Sequence, residues 1–70
     1  MYWFKETEKA KVLQGRTIKY LADNKLFITH EYLISVLNGK RGCSKLLANN
    51  ICQCISWNAK IEDYFYKKGD

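Results

Sequence analysis

Apolar residues recur every three or four positions along most of the chain, which is the spacing of one face of an α-helix. The clearest case is the repeat of Leu47, Ile51 and Ile55 at every fourth position. The alternation of a half-buried strand is not evident anywhere. The pattern therefore predicts an all-α bundle of five short helices, at about residues 3–14, 17–25, 29–38, 44–55 and 58–66.

Residues suited to helix ends support these boundaries. Hydroxyl and amide side chains stand where four of the predicted helices begin and suit N-caps: Thr17, Thr29, Ser44 and Asn58. Glycine follows two of the helices, at Gly15 and Gly39, where a left-handed residue usually ends a helix. Ile28 and Leu33 also occupy the two positions of a hydrophobic staple around Thr29. Short helices joined by tight turns are the expected architecture.

The chain has 70 residues, 47% of them hydrophobic, and it contains no proline. No repeat or low-complexity segment interrupts it, so we expect one domain over residues 1–70. The first residues, MYWFKETEK, carry charge where a secretory leader needs an apolar run. A location in the bacterial cytosol, associated with the nucleoid, is the expectation.

The three cysteines are Cys43, Cys52 and Cys54. In a reducing compartment they are best interpreted as small hydrophobic residues. Zinc would need four ligands, and His30 is the only imidazole in the chain. His30 also lacks a nucleophile in a plausible catalytic arrangement. We therefore expect no metal, no cofactor and no enzymatic activity.

Basic residues outnumber acidic ones by twelve to seven, which gives a net charge of +5. This excess favours a polyanionic partner, with nucleic acid first and an anionic membrane surface second.

The helix predicted at residues 29–38 has an unusual outward face. If its apolar residues face the core, Glu31, Ile34, Ser35 and Asn38 face away, with His30 at the flank. Such hydrogen-bonding groups and one apolar contact suit the reading of base edges in DNA. An ordinary solvated helix is the alternative, because the helix dipole alone explains a glutamate in the first turn.

Cations follow the end of this helix at Lys40, Arg41 and Lys45. From there they can reach phosphates beside a groove, and Ser44 with the next helix start can add further contacts. A merely solvated loop is again the alternative.

The order of these features resembles the helix-turn-helix domain of Cro and the lambdoid phage repressors, the Cro/CI or XRE family. The similar motifs cover about residues 15–65 and lie, in chain order, at Leu21-Ala22, Ile28-Thr29, Leu33 with Val36, Asn38-Gly39-Lys40-Arg41, and Ser44 through Ile55. The resemblance implies a lambda-repressor-like fold and a transcriptional regulator, typically a repressor, of phage or mobile-element type. It also implies a homodimer on a pseudo-palindromic operator of double-stranded DNA, with half-sites about 34 Å apart.

Position by position, the resemblance assigns base reading to His30, Glu31, Ile34 and Ser35. It assigns phosphate contacts to Thr17, Thr29, Asn38, Lys40 and Arg41, to which the charge pattern adds Ser44 and Lys45.

Two departures from the family pattern concern the segment before this helix. The turn at residues 23–28 is one residue longer than usual, and Phe27 or Lys25 replaces its customary glycine. Ile18 stands where the family often has a phosphate-contacting glutamine. A rival register makes residues 29–38 the first helix of the motif and needs a recognition helix within residues 40–51.

A different function on the same fold is the main alternative. Exposed aromatic residues could form an apolar contact surface for a host protein, as in a phage-encoded inhibitor. The candidates are Tyr2, Trp3, Phe4, Tyr64, Phe65 and Tyr66. Their alternative roles are to complete the core and to form the homodimer interface.

Overall fold

Five α-helices and one pair of strands make up the computed structural model, which describes residues 1–68. Their order is β1 (Tyr2–Phe4), α1 (Lys9–Leu13), α2 (Ile18–Leu21), α3 (His30–Leu37), α4 (Lys45–Ile55), α5 (Ile61–Tyr64) and β2 (Phe65–Lys67). A 3-10 turn at Glu6–Glu8 leads into α1. The chain is therefore mostly helical, as predicted. Gly69 and Asp70, the end of the predicted domain, lie outside the described residues.

Side-chain caps begin the three central helices, as the sequence predicts. In each, a hydroxyl oxygen accepts a hydrogen bond from the backbone N–H three residues later, at 3.0–3.2 Å: Thr17, Thr29 and Ser44. These bonds satisfy N–H groups that have no partner inside the helix. At the other end of α3, Gly39 has a φ of 73°, the left-handed conformation expected of a glycine that ends a helix.

The second helix does not stop at Leu21 but continues as a π-helical turn at Ala22–Leu26. The backbone N–H of Phe27 then donates to the carbonyl of Ala22. Phe27 itself is left-handed, with a φ of 55°, and its side chain is 81% exposed. Residues 23–26 of the predicted turn are thus helical, and Phe27 takes the left-handed position for which glycine is the usual choice.

Two short strands correct the all-α prediction at its first and last helices. The helix predicted at residues 3–14 is wrong in its first half, where β1 and the 3-10 turn stand. The helix predicted at 58–66 is limited to α5 and runs directly into β2. β1 and β2 pair antiparallel, with Phe4 opposite Phe65 and Tyr2 opposite Lys67. Aromatic residues favour strands, and here they also supply core contacts.

The start of α5 and the inward face of α1 differ from expectation as well. Lys60, not Asn58, precedes α5, and it makes no side-chain cap. A helix running over residues 3–14 would place Thr7 and Ala10 on its inward side, but both are exposed and Val12 is buried instead. Because the helix begins only at Lys9, its inward face is set by residues 9–13 alone.

One hydrophobic core joins the helices to the strands. Its most deeply buried side chains come from every part of the chain: Phe4, Val12, Leu21, Leu33, Val36, Leu37, Cys43, Ile51 and Cys52. The rings of Phe4 and Phe65 meet edge to face, with centroids 5.2 Å apart. β1 therefore completes the core beside α3 and α4.

Candidate nucleic-acid interface

Helix α3 presents the outward face that the sequence predicts. Burial of Leu33, Val36 and Leu37 fixes its rotation about its own axis. Among the predicted base-reading residues, Glu31 is exposed, and three are partly exposed: His30, Ile34 and Ser35. The structure thus brings all four to one accessible helix.

Asn38, a predicted phosphate contact at the end of α3, is already engaged. Lys9 Nζ donates a hydrogen bond of 2.7 Å to Asn38 Oδ1. This bond leaves the amide nitrogen of Asn38 as the group that can donate to another molecule. It also brings Lys9 of α1 to the end of α3. Sequence reasoning missed Lys9, because 29 positions separate it from Asn38.

The cations that follow α3 are exposed: Lys40, Arg41 and Lys45. Within residues 1–68, none of these three side chains forms an ion pair with a carboxylate. Arg41 is instead held over the ring of Tyr32, 4.9 Å from the ring centroid. A cation–π contact positions a guanidinium without neutralising its charge. These three positive charges stand beside the accessible face of α3, and no carboxylate among the described residues pairs with them.

The hydroxyl-bearing candidates have a structural role in addition to the predicted one. Thr17, Thr29 and Ser44 are exposed, and each uses its side-chain oxygen as a helix cap. The hydroxyl hydrogen is not consumed by this bond, so it remains available to a phosphate oxygen. Replacing any of them would affect stability as well as binding.

Two further cations lie near the loop between α3 and α4, and sequence reasoning did not consider them. Lys67 and Lys68 are exposed and belong to, or directly follow, β2. The only available signal was their charge, since nothing in the local sequence shows that β2 pairs with β1. Only the strand pairing places them beside this loop.

The cysteines are placed as hydrophobic residues. Cys43 and Cys52 are buried, and all three thiols are free. Burial raises the pKa of Cys43 from 9.0 to about 11, and that of Cys52 likewise to about 11. Burial also raises the pKa of Cys54. At neutral pH these groups are thiols, poor metal ligands and poor nucleophiles. The part of the chain that the structure describes holds no group of three or more His, Cys, Asp or Glu arranged to bind a metal ion.

Comparison of the chain with protein-family models, with curated proteins and with solved structures gives no match. No helix within residues 1–68 has the length and apolar character needed to cross a membrane.

Proposed function

We propose that this protein is a sequence-specific double-stranded DNA-binding regulator of transcription, a repressor of the Cro/CI helix-turn-helix type. One observation carries the proposal: the accessible polar face of α3 stands next to Lys40, Arg41 and Lys45, none of which forms an ion pair with a carboxylate within residues 1–68. Phosphate contacts supply most of the affinity of such proteins, and groups on an inserted helix supply the sequence preference.

The connections between helices support α2 and α3 as the two helices of the motif. Helical hydrogen bonding in the second helix reaches Leu26, and α3 begins at His30, so three residues join them. Seven residues, 38–44, join α3 to α4. A helix-turn-helix has a connection of about three to four residues. The rival register, which pairs α3 with α4, is disfavoured by this difference.

The side chains on α3 have complementary roles in reading DNA. Glu31 can accept a hydrogen bond from the amino group of cytosine, and Ser35 can donate or accept at several bases. Ile34 offers an apolar surface to a thymine methyl group. His30 stands at the first turn of α3, beside the capped helix end. Lys40, Arg41 and Lys45 then bind the phosphates that flank the groove.

The alternative of an aromatic docking surface is weakened by the core. Phe4 and Phe65 are buried, and Tyr2, Trp3 and Tyr64 are partly buried. Phe4 and Phe65 thus complete the core, the other role that the sequence leaves open for these aromatics, and Tyr66 alone of this set is exposed. An apolar contact surface large enough for a stable complex needs more than this.

In vitro selection from a random pool of duplexes tests the proposal directly. We expect enriched sites with two-fold symmetry and half-sites one helical turn, about 34 Å, apart. A dimer that makes roughly six phosphate contacts should show a log–log salt slope near −5. Failure to bind any duplex at low salt would reject DNA binding and favour a protein-interaction role on the same fold.

Substitution of Arg41 separates phosphate binding from sequence reading. Arg41→Ala should weaken binding to selected and random duplexes alike, because phosphates carry no sequence information. In a dimer the salt slope should become shallower by about 2, since two contacts are lost. Lys25→Ala is the matched control: it removes one exposed cation from a groove beside Asn50 and Gln53, on the second half of α4. If the two substitutions weakened DNA binding equally, the affinity would depend on net charge alone and not on the position of Arg41.

Substitution of Ser35 tests the other half of the assignment. Ser35→Ala should change which base is preferred at one position of each half-site, with a discrimination of about 1–3 kcal/mol lost there. Binding to random duplex should stay as in the wild type. A repeated selection with this variant measures the change, and an unaltered consensus would remove Ser35 from the reading face.

A further inference from the structure

The strand pairing brings the last described part of the chain to the loop between α3 and α4. Tyr2 exchanges backbone hydrogen bonds of 2.9 and 2.8 Å with Cys43 in that loop, and it lies opposite Lys67 in β2. β1 is therefore the middle of three adjacent extended segments. Neighbouring strands are about 4.8 Å apart, so the backbone of Lys67 lies about 10 Å from that of Cys43.

Trp3 connects the two sides of this arrangement through its side chain. Lys68 Nζ lies 5.3 Å from the centroid of the Trp3 ring. On the loop, a Cβ placed on Gly42 would lie 3.1 Å from Trp3 Cε2 and 3.0 Å from Met1 Sδ. Glycine is thus needed at residue 42 for the indole to approach this closely. Lys68 and the loop that carries Arg41 contact the same indole.

Lys67 faces a different neighbour. It lines a shallow groove together with Lys45, at the first turn of α4, and with Glu62. The two cations in this groove outnumber its one carboxylate. Lys67 and Lys68 point to opposite sides of the strand pair, Lys67 towards Lys45 and Lys68 towards Trp3. Exposed cations therefore flank both sides of the loop that carries Lys40 and Arg41.

We propose that Lys67 and Lys68 form a second phosphate-binding element, which extends the DNA contact of α3 and its loop along the backbone of the duplex. Trp3 is a positioning residue in this element: its ring holds the Lys68 ammonium without neutralising it, as Tyr32 holds Arg41. The inference rests on the proposed function, because the ligand is the phosphate backbone of the same duplex.

The test compares the full chain with Lys67→Gln/Lys68→Gln on one selected and one random duplex, across a salt series. Each phosphate contact contributes about 0.9 to the slope, so this element should steepen the wild-type slope beyond the value near −5 expected from the loop cations alone. The double variant should be shallower than the wild type by about 2 per protomer. Both duplexes should lose affinity by the same factor. Lys68→Arg should retain the wild-type slope. Lys19→Gln/Lys25→Gln, which removes two exposed cations from the second helix, is the charge-matched control.

A spectroscopic measurement checks the role of Trp3. Trp57 is 89% exposed, so Trp57→Phe leaves Trp3 as the only indole without disturbing the core. Adding random duplex to this variant should change the Trp3 fluorescence, and the change should disappear in the Lys67→Gln/Lys68→Gln background. Trp3→Leu should flatten the salt slope by less than Lys68→Gln does, because the charge remains but is held less firmly.

The outcomes distinguish this inference from the function on which it rests. If the wild type binds duplex DNA and the double variant keeps its affinity and slope, the second element is rejected while the proposed function stands. If the wild type binds no duplex at low salt, the proposed function fails first. Binding to vesicles with anionic lipid but not to duplex would overturn both and assign the surface to a membrane.

Discussion

The central segment and the paired strands of this protein acquire their structure in different ways. From Thr17 to Ile55, each helix begins at its own hydroxyl cap, and the apolar spacing is regular. β1 and β2 are only three residues each, and they hold together because they pair with one another across more than sixty positions. The structure of the central segment is encoded in its local sequence. The strands depend on long-range contacts that the local sequence does not predict.

The strands nevertheless contribute to the hydrophobic core as much as the helices do. Phe4 is as deeply buried as Leu33 or Ile51, and Phe65 packs against it. Short two-stranded ribbons are marginal in water unless they pack against other elements. Here the shared core provides that packing, so the two regions should unfold together.

The largest expected effect comes from breaking the core contact of β1. Phe4→Ala should destabilise the protein by about 3–5 kcal/mol, since it removes a buried aromatic side chain and leaves a cavity. Urea unfolding followed by helical circular dichroism measures it. Phe27→Ala is the matched control, the same substitution at an 81% exposed position, and should change stability by less than about 0.5 kcal/mol. Loss of the strands with the helical signal intact would show two independent regions.

A smaller effect on stability is expected from alkaline pH, through two buried thiols of the core. Cys43 borders β1 and Cys52 lies on α4, and burial raises the pKa of each to about 11. The folded state therefore keeps these protons at pH values where the unfolded chain has lost them. Their contribution to stability is complete well below pH 9 and is lost as pH rises from about 9 through about 11, by about 3 kcal/mol per thiol.

The melting temperature of Cys43→Ala/Cys52→Ala, measured from pH 8 to 11, provides the comparison with the wild type. Lysines and tyrosines titrate in both proteins, so only the difference between the two curves reports on the thiols. The two curves should converge as pH rises. If the two curves stayed parallel, burial of these thiols would not be the cause of the loss of stability at alkaline pH.

The smallest effect tests the local encoding of the central region. Ser44→Ala removes the cap of α4 and should cost about 1 kcal/mol. Ser44→Asp, which keeps an acceptor and adds a favourable charge at the helix start, should restore stability. Thermal unfolding at neutral pH measures both. Equal stability of the alanine and aspartate variants would show that α4 is fixed by core packing alone.

These contrasts explain what the sequence could and could not predict. Thr29 and Gly39 determine the ends of α3 within a few residues of themselves, so its bounds and its accessible face follow from the pattern. The bond from Lys9 to Asn38 and the placement of Lys68 on Trp3 require the tertiary structure. The aromatic runs at residues 2–4 and 64–66 were a signal for strands, but each is too short to show an alternation. Because the two runs are far apart in the sequence, their pairing could not be predicted from the local pattern.

The π-helical turn at Ala22–Leu26 has a consequence for comparing this chain with others. A residue inserted into a regular α-helix rotates everything after it by 100°. A π-helical turn takes up about one residue more than an α-helical turn, and here Leu21, Ala22 and Leu26 all remain in the core. A chain shorter by one residue at this point would need only an ordinary helical turn to leave the start of α3 in the same place. In an alignment of the two chains, the gap would then fall inside the second helix, ahead of Phe27. An alignment that placed the gap in the connecting turn instead would misassign every residue between the π-helical turn and that gap.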